Sequence, residues 1–260
     1  MTWILAGITW QPPGYLWAID AIRDRFTVFD SLGTVLATHP LQLGRSASLP
    51  WPMWVDAERS LHLWLPATRS IVKYGVGPGL DSLASLQVPE IPQEMYTTQS
   101  GGITALSPIP YSPDIRWTVG PTGNVWLADN SVFALHETTY GGDTLRTLEL
   151  DRRAPRLEGR ERDSLATATG IAARSLPARK TVLQWIHAAT DGWVWVQTDR
   201  RVIRTWDVFD EHGQYLGRVT PPVPIERNPF PVFGTGTVTG VTLGELGEPY
   251  VVQLHVIPGQ

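Results

Sequence analysis

The sequence predicts an all-β fold, namely a β-propeller made of four-stranded antiparallel blades. Three observations lead to this prediction. A turn followed by a strand with a central aromatic residue recurs along the chain, helical periodicity is almost absent, and the 260 residues include 12 tryptophans, 24 glycines and 22 prolines. Many short strands with tight turns and an aromatic signature in each repeat are typical of propeller blades. We expect residues 1–260 to form a single propeller domain.

The repeat is clearest at 191–198, where DGWVWVQT is a turn followed by an alternating strand. Weaker copies occur at four other places: PPGYLWAID (12–20), RSLHLWLPA (59–67), PTGNVWLAD (121–129) and LGEPYVVQL (246–254). An apolar strand precedes each turn, so each copy predicts a β-hairpin. We expect the central aromatic residue of every copy to be buried between neighbouring blades: Trp17, Trp64, Trp126, Trp195 and Tyr250.

A second pair of strands follows the hairpin. It is clearest in RFTVFDSLGTVLAT (25–38) and RTWDVFDEHGQYLGRV (204–219), where an Asp-x-x-Gly turn joins strands three and four. This pattern predicts four full blades and a fifth hairpin at the C-terminus, with blade boundaries near residues 40, 92, 155 and 224. If the N-terminal strand does not close the ring, unpaired strand edges predict a homo-oligomer.

Two segments are too long for simple blade connections, 89–110 and 151–180, and the second predicts a short helix over 158–174. Loops between consecutive blades emerge on one face of a propeller, where a lid or binding surface would lie. The second segment carries five closely spaced arginines: Arg152, Arg153, Arg156, Arg160 and Arg162. Because acidic residues are interleaved with them, the cluster suits either an anionic ligand or a solvated loop-and-helix face.

The blade pattern resembles that of six-bladed propellers of the NHL and TolB-like kind. DGWVWVQ followed by RTWDVFDEHGQYLGRV is similar to their D-x-x-G-x-hydrophobic-W-V and R-hydrophobic-x-V-F-D-x-x-G motifs, and RDRFTVFDSLGTVL repeats the second half. The motifs are short, and they specify fold rather than function. The resemblance implies six blades, whereas the repeats counted here predict a five-bladed or an incomplete six-bladed ring.

A more distant likeness is to propellers of the gluconolactonase and paraoxonase type. The resemblance implies hydrolytic activity and a calcium ion at the channel mouth, held by Glu, Asn and Asp at the starts of the innermost strands. Among the matching starts in this chain only Asp114 is acidic, and one carboxylate does not make a calcium site. A divalent metal therefore stays a candidate cofactor for which the sequence offers no clear ligand set.

Candidate catalytic and binding residues lie on the predicted innermost strands. His187 stands two residues after Trp185, hence on the same face, and Trp54 occupies the aligned position in another blade. An imidazole near the channel suits a general base or a metal ligand, and a buried structural histidine is the alternative. Tyr111 and Arg116 flank Asp114, where they could orient or polarise a bound carbonyl or phosphoryl group.

These positions give the predicted site. The predicted catalytic residues are His187 and Asp114, and the predicted ligand-binding residues are Tyr111, Arg116, Trp54 and Trp185. The favoured function is a small-molecule-binding propeller that hydrolyses esters, lactones or phosphotriesters at the channel mouth. The alternative is a non-catalytic scaffold for a protein, peptide or carbohydrate. Both remain open, because propellers serve both purposes.

Composition excludes several classes. The chain has no cysteine, so disulfides and thiolate chemistry are excluded. A net charge of -4 provides no overall basic field for nucleic acid, and no apolar run approaches the roughly 18 residues of a spanning helix. We therefore expect neither nucleic acid nor membrane as a partner. The N-terminus MTWILAGITWQPPG lacks the basic region of a signal peptide, which predicts a cytoplasmic protein unless a leader has been lost.

Overall fold

The computed structural model describes residues 5–11, 14–20, 23, 25–40, 53–76, 80–100, 103–198, 202–227, 229–234 and 236–256. Five antiparallel sheets form the blades of a β-propeller, which confirms the predicted fold class. Four of these sheets have four strands and the fifth has three. The six blades implied by the NHL and TolB-like resemblance therefore differ from the five blades in the described part of the chain.

The blades follow one another along the chain. Blade I contains β1 (Leu5–Gln11), β2 (Tyr15–Asp20), β3 (Arg25–Phe29) and β4 (Val35–Pro40), and blade II contains β5 (Met53–Val55), β6 (Leu61–Leu65), β7 (Ser70–Val76) and β8 (Leu80–Gln87). A separate hairpin of β9 (Met95–Ser100) and β10 (Ile103–Pro108) follows. Blade III contains β11 (Ile115–Val119), β12 (Val125–Asp129), β13 (Ala134–Thr138) and β14 (Thr144–Glu149).

The second half of the chain adds two blades and a helical segment. After blade III come α1 (Gly159–Thr169) and a single 3-10 turn (Ala173–Ser175). Blade IV contains β15 (Trp185–Ala188), β16 (Val194–Gln197), β18 (Trp206–Phe209) and β19 (Tyr215–Val219), while β17 (Val202–Ile203) pairs with β20 (Ile225–Glu226). Blade V contains β21 (Val232–Gly234), β22 (Thr237–Leu243) and β23 (Pro249–His255).

The predicted Asp-x-x-Gly turns join strands three and four in blades I and IV. In blade I, one carboxylate oxygen of Asp30 accepts the N–H groups of Leu32 and Thr34, at 2.9 and 2.8 Å. Asp210 does the same at the corresponding turn of blade IV. Gly33 stands at φ +82°, in the left-handed region where a side chain is strained. The turn chemistry of these residues therefore sets the register of both outer hairpins.

The recurring aromatic residues are buried between blades in the first four copies but not in the fifth. Trp17, Trp126 and Trp195 are almost fully buried and Trp64 is partly buried, as predicted. Tyr250 is 52% exposed, so the prediction was wrong there. The reason is that β23 is an edge strand of blade V, and β21, on the far side of β22, supplies the buried aromatic Phe233.

The two long inter-blade segments pack against each other. Segment 89–110, predicted as a loop, contains the β9–β10 hairpin, because Tyr, Thr and Ile residues flank a Gly-Gly pair. Within 151–180, α1 is shorter than the predicted helix. Ile109, Leu157, Ile171 and Leu176 form a small apolar core that joins the two segments. No helix of the described chain has the length and apolar character needed to cross a membrane.

Candidate functional site

Innermost strands β11 and β15 lie side by side, and they bring three of the predicted residues together. The Asp114 carboxylate forms an ion pair with the Arg116 guanidinium. The guanidinium carbon of Arg116 lies 5.4 Å from the centre of the Trp185 ring, a cation–π distance. Asn130 holds the start of β11, because its side-chain oxygen accepts the Asp114 backbone N–H at 2.9 Å.

The loop between β20 and β21 covers this group from the side of blade V. Phe230 stacks on Trp185 with 4.9 Å between ring centres. The guanidinium carbon of Arg227 lies 5.0 Å from the centre of the same Trp185 ring. The Trp185 indole therefore contacts two guanidinium groups and a phenyl ring, a set that the sequence analysis did not assemble because Arg227 and Phe230 lie outside the repeat.

His187 lies deeper, in the interface between blades IV and V. It is only 6% exposed, and its ring centre is 4.6 Å from that of Phe233. Burial lowers the pKa of His187 to about 3; a hydrogen bond from the imidazole to the Gln197 side chain opposes this shift and the positive charge of Arg227 adds to it. The imidazole is therefore neutral at physiological pH, and as a proton acceptor it is much weaker than an ordinary histidine.

Two predicted residues lie apart from this group. Trp54 packs on Trp117 with 4.3 Å between ring centres, on strands β5 and β11. Tyr111 stands at φ +67° in the turn before β11 and its hydroxyl lies 3.4 Å from a carboxylate oxygen of Glu161 on α1. In the described part of the chain no hydrogen bond joins Asp114 to His187. The predicted catalytic pair is thus not assembled as a dyad, and the roles of all six residues stay predictions.

A cavity of about 710 Å³ lies beneath α1, at the end of blade IV where β15 begins. Its polar floor is formed by Thr181, Gln184, Thr198 and Thr205. Five basic side chains line it: Arg152, Arg153, Lys180, Arg204 and Arg218. Glu161, which forms an ion pair with Lys180 at 2.6 Å, is the acidic residue of the lining, and Tyr111 also contributes to the wall.

A buried carboxylate fixes part of this basic lining. Asp207 is fully buried and accepts two hydrogen bonds from the Arg152 guanidinium, one of them at 2.9 Å. The Tyr215 hydroxyl donates to Asp207 at 2.9 Å and Arg218 Nε lies 3.5 Å from it. Burial acts to lower the pKa of Arg152, but the contact with Asp207 outweighs it and raises that pKa. Arg152 is therefore a permanently charged and oriented group.

The sequence left two interpretations open for the arginine cluster of 151–180, an anion-binding site and a solvated surface, and the structure distributes the arginines over different surroundings. Arg152 and Arg153 line the cavity. Arg162 instead ties the segment together, because its guanidinium donates to the carbonyl groups of Leu157, Ala173, Leu176 and Pro177. Arg156 pairs with Glu158 on the exposed surface. The sequence analysis missed Lys180, Arg204 and Arg218, which lie in the segment before β15, just before β18 and within β19 and share no local pattern.

A second buried polar network joins blades II and III. His62 is fully buried: its Nε2 lies 2.9 Å from an Asp56 carboxylate oxygen and its Nδ1 lies 2.6 Å from the Tyr140 hydroxyl. Lys73 Nζ lies 3.0 Å from the same Asp56 oxygen, and the Ser60 N–H donates to the other at 2.8 Å. Burial acts to raise the pKa of Asp56, but these contacts outweigh it and hold that pKa far below its usual value. Because Asp56 and His62 are buried and both ring nitrogens of His62 have partners, we interpret this sealed network as structural.

Over the residues that the structure describes, no group of three or more His, Cys, Asp or Glu side chains lies together as a metal site would require. The lining of the cavity beneath α1, which is rich in arginine and holds one carboxylate, instead suits an anion.

Comparisons with known proteins do not identify a family for this chain. No protein-family profile matches the chain, and neither does any curated protein. Among solved structures, virginiamycin B lyase from Staphylococcus aureus is similar over 98% of this chain and 70% of that chain, at 13% identity and a TM-score of 0.46. A streptogramin B lyase is similar over 97% and 68%, at 12% identity and a TM-score of 0.47. Hsv2 from Kluyveromyces lactis is similar over 95% and 84%, at 8% identity and a TM-score of 0.42. At such identities the similarity concerns the fold alone, and the propeller assignment rests on the strand arrangement itself.

Proposed function

We propose that this propeller binds a small anionic molecule in the cavity beneath α1. The observation that carries the proposal is the cavity's lining, in which five basic side chains face one acidic one within about 710 Å³. Cavities of about 300–1,000 Å³ accommodate ordinary metabolites. The excess of positive charge attracts an anion, and the fork-shaped donors of arginine suit carboxylate or phosphate oxygens.

The lining combines fixed and adaptable groups. Asp207 holds Arg152 in place, so this guanidinium loses little freedom when a ligand binds. Arg153 is exposed and forms no ion pair in the described part of the chain, so it can reorient toward a ligand. Thr181 and Gln184 add neutral hydrogen-bonding groups on the floor. Together these groups support recognition of a polar anion rather than of an apolar ligand.

Isothermal titration calorimetry at constant ionic strength tests the proposal with inorganic phosphate, pyrophosphate and citrate, and with glucose as a neutral comparison. We expect at least one anion to bind and glucose not to bind. Arg153→Gln should weaken that binding about tenfold, the equivalent of one charge-assisted hydrogen bond. Arg160→Gln removes the same charge from the exposed surface of α1, outside the cavity lining, and should leave the affinity unchanged. Absence of binding for every anion would contradict the proposal.

A more specific hypothesis is that the protein hydrolyses an ester, lactone or phosphotriester. Membership of the NHL and TolB-like or gluconolactonase-type groups is likewise a hypothesis. The low basicity of His187 and the ion pairing of Asp114 give no support to a reaction that uses them as base and nucleophile at neutral pH. Assays of phenyl acetate, a γ-lactone and paraoxon, with and without chelator, test it. Turnover that His187→Gln abolishes while the protein stays folded would restore the hydrolytic hypothesis.

One observation favours the alternative function, a protein-binding scaffold. Ile8, Trp10 and Val35 are exposed on the face of blade I that points away from blade II. Val232 and Val251 are exposed on the face of blade V that points away from blade IV. Exposed apolar sheet faces are typical of interaction surfaces. Light scattering tests the simplest partner, a second copy: an oligomer that Trp10→Glu dissociates would support it, and a 28.8 kDa particle would contradict it.

A further inference from the structure

The one acidic residue that lines the cavity beneath α1 already contacts one of its basic residues. Glu161 lies in the first turn of α1, and one oxygen of its carboxylate is 2.6 Å from Lys180 Nζ. The other oxygen of the same carboxylate lies 3.4 Å from the Tyr111 hydroxyl. A carboxylate of the protein itself therefore shows that an anionic group fits at this point of the cavity.

This ion pair is easily exchanged for a contact with a ligand. The Glu161 side chain is 48% exposed and that of Lys180 is 27% exposed. Ion pairs between exposed side chains contribute little to stability, because water solvates both charges when they separate. No residue of α1 is buried, so the Glu161 side chain can turn toward solvent without opening a packed core. A carboxylate supplied by a ligand can therefore replace that of Glu161 on Lys180 with little loss.

A pair of arginines forms a second anion-binding point in the same cavity. Arg152 is fixed by Asp207, and Arg153 is exposed and forms no ion pair in the described part of the chain. The backbone limits the distance from this arginine pair to Lys180, because the Lys180 N–H donates to the Pro155 carbonyl at 2.8 Å. Pro155 follows Arg152 by three residues, which span at most about 11 Å. The two binding points are thus separated by the length of a short molecule.

We propose that the ligand of this cavity is a short dicarboxylate. One of its carboxylates binds at the arginine pair, and the other replaces the Glu161 carboxylate on Lys180. The inference rests on the proposed anion-binding function and specifies its ligand class. Arginine matches a carboxylate with two parallel N–H donors, whereas Lys180 acts as a point charge. A monocarboxylate can use only one of the two points and should bind more weakly.

The test compares glutarate with glutaramate, which has the same carbon chain but carries an amide in place of one carboxylate. Isothermal titration calorimetry of the intact protein at constant ionic strength measures both dissociation constants. We expect the wild type to bind glutarate about tenfold more tightly than glutaramate, the equivalent of one charge-assisted contact. Glu161→Gln removes the internal competitor and should tighten glutarate binding about three- to fivefold. Glu158→Gln removes the same charge from an exposed residue outside the cavity lining and should leave the affinity unchanged.

The decisive variant combines Glu161→Gln with Lys180→Gln. It removes one negative and one positive charge, so the net charge of the cavity lining stays the same while the second binding point is lost. We expect this double variant to bind glutarate and glutaramate equally.

Three results would overturn the dicarboxylate proposal: equal binding of the two probes by the wild type, a preference for glutarate that persists in the double variant, or glutarate binding that Glu161→Gln fails to tighten. If phosphate or pyrophosphate binds and glutarate does not, the dicarboxylate proposal fails while the anion-binding function stands. Absence of binding for every anion, glutarate included, would contradict both.

Discussion

Two of the junctions between blades each bury one histidine: His62 lies between blades II and III, and His187 lies between blades IV and V. The two side chains differ in the hydrogen bonds that their ring nitrogens form. Both ring nitrogens of His62 have partners, Asp56 and Tyr140. At the other junction His187 lies among aromatic rings, with Nε2 unpartnered and a pKa lowered to about 3. Burial alone therefore does not define the role of a histidine. Its hydrogen-bond partners determine whether it stabilises the fold or keeps a ring nitrogen without a partner.

The difference follows from what each junction supplies. The turn before β6 provides the Asp56 carboxylate, and the turn after β13 provides the Tyr140 hydroxyl, so the polar atoms of blades II and III meet across the interface. At the other junction blade V supplies Phe233, and the connecting loop supplies Phe230 and Arg227. Apolar rings surround the imidazole, and its Nε2 has no hydrogen-bond partner in the described part of the chain. The first junction thus satisfies both ring nitrogens of its histidine, whereas the second leaves one without a partner.

The strongest test of this contrast is Asp56→Ala. Removal of the carboxylate leaves the buried His62 and the largely buried Lys73 without their anionic partner, and breaking a buried charged pair costs about 3–5 kcal/mol. We expect the free energy of unfolding to fall by about that amount in urea denaturation. Asp30→Ala removes a carboxylate from an exposed turn and should lower the free energy of unfolding far less. Equal losses for both variants would contradict the view that the first junction is a sealed network.

The sequence predicted the features that local chemistry determines. Asp30 and Asp210 define their turns through hydrogen bonds within five residues, so the outer hairpins and the fold class followed directly. Tyr250 was misplaced because its turn and alternating strand look the same whether the hairpin is inner or outer. His62 was overlooked because its partner Tyr140 is 78 residues away, a distance that no local pattern spans. The cavity was missed for the same reason, since separate parts of the chain supply its basic residues.

An acid titration tests the second junction. The pKa of His187 is about 3 in the folded protein and about 6.5 in an unfolded chain, so between these values the unfolded chain binds a proton that the folded protein does not. Stability therefore falls as the pH drops below about 6.5, by at most about 1.4 kcal/mol per pH unit. Between pH 7 and pH 4 we expect the wild type to lose about 2–3 kcal/mol more than His187→Phe, measured by urea denaturation at each pH.

The control for this titration is His212→Gln, which alters an exposed histidine in the outer turn of blade IV. This variant should follow the wild-type pH profile. The Asp56 network is the same in all three proteins, so its own acid response cancels in the comparison. If His187→Phe were to lose stability on acidification as steeply as the wild type, His187 would not be buried in its neutral form.

The smallest expected effect on stability comes from Tyr140→Phe. This variant leaves one ring nitrogen of His62 without a hydrogen-bond partner, as Nε2 of His187 is in the wild type. The Tyr140 hydroxyl lies 2.6 Å from His62 Nδ1, and burial, helped by the negative charge of Asp56, raises the pKa of Tyr140 so that it stays protonated. The variant keeps the aromatic ring and leaves Nδ1 of His62 without a partner. The free energy of unfolding, measured by urea denaturation, should therefore fall by about 1–2 kcal/mol. Tyr250→Phe removes an exposed hydroxyl that pairs with Glu248 and should cost less than about 0.5 kcal/mol. If Tyr140→Phe proved as harmless as that control, the hydrogen bond between Tyr140 and His62 would add nothing to the stability of this junction, and a partner at each ring nitrogen would not be what distinguishes the two histidines.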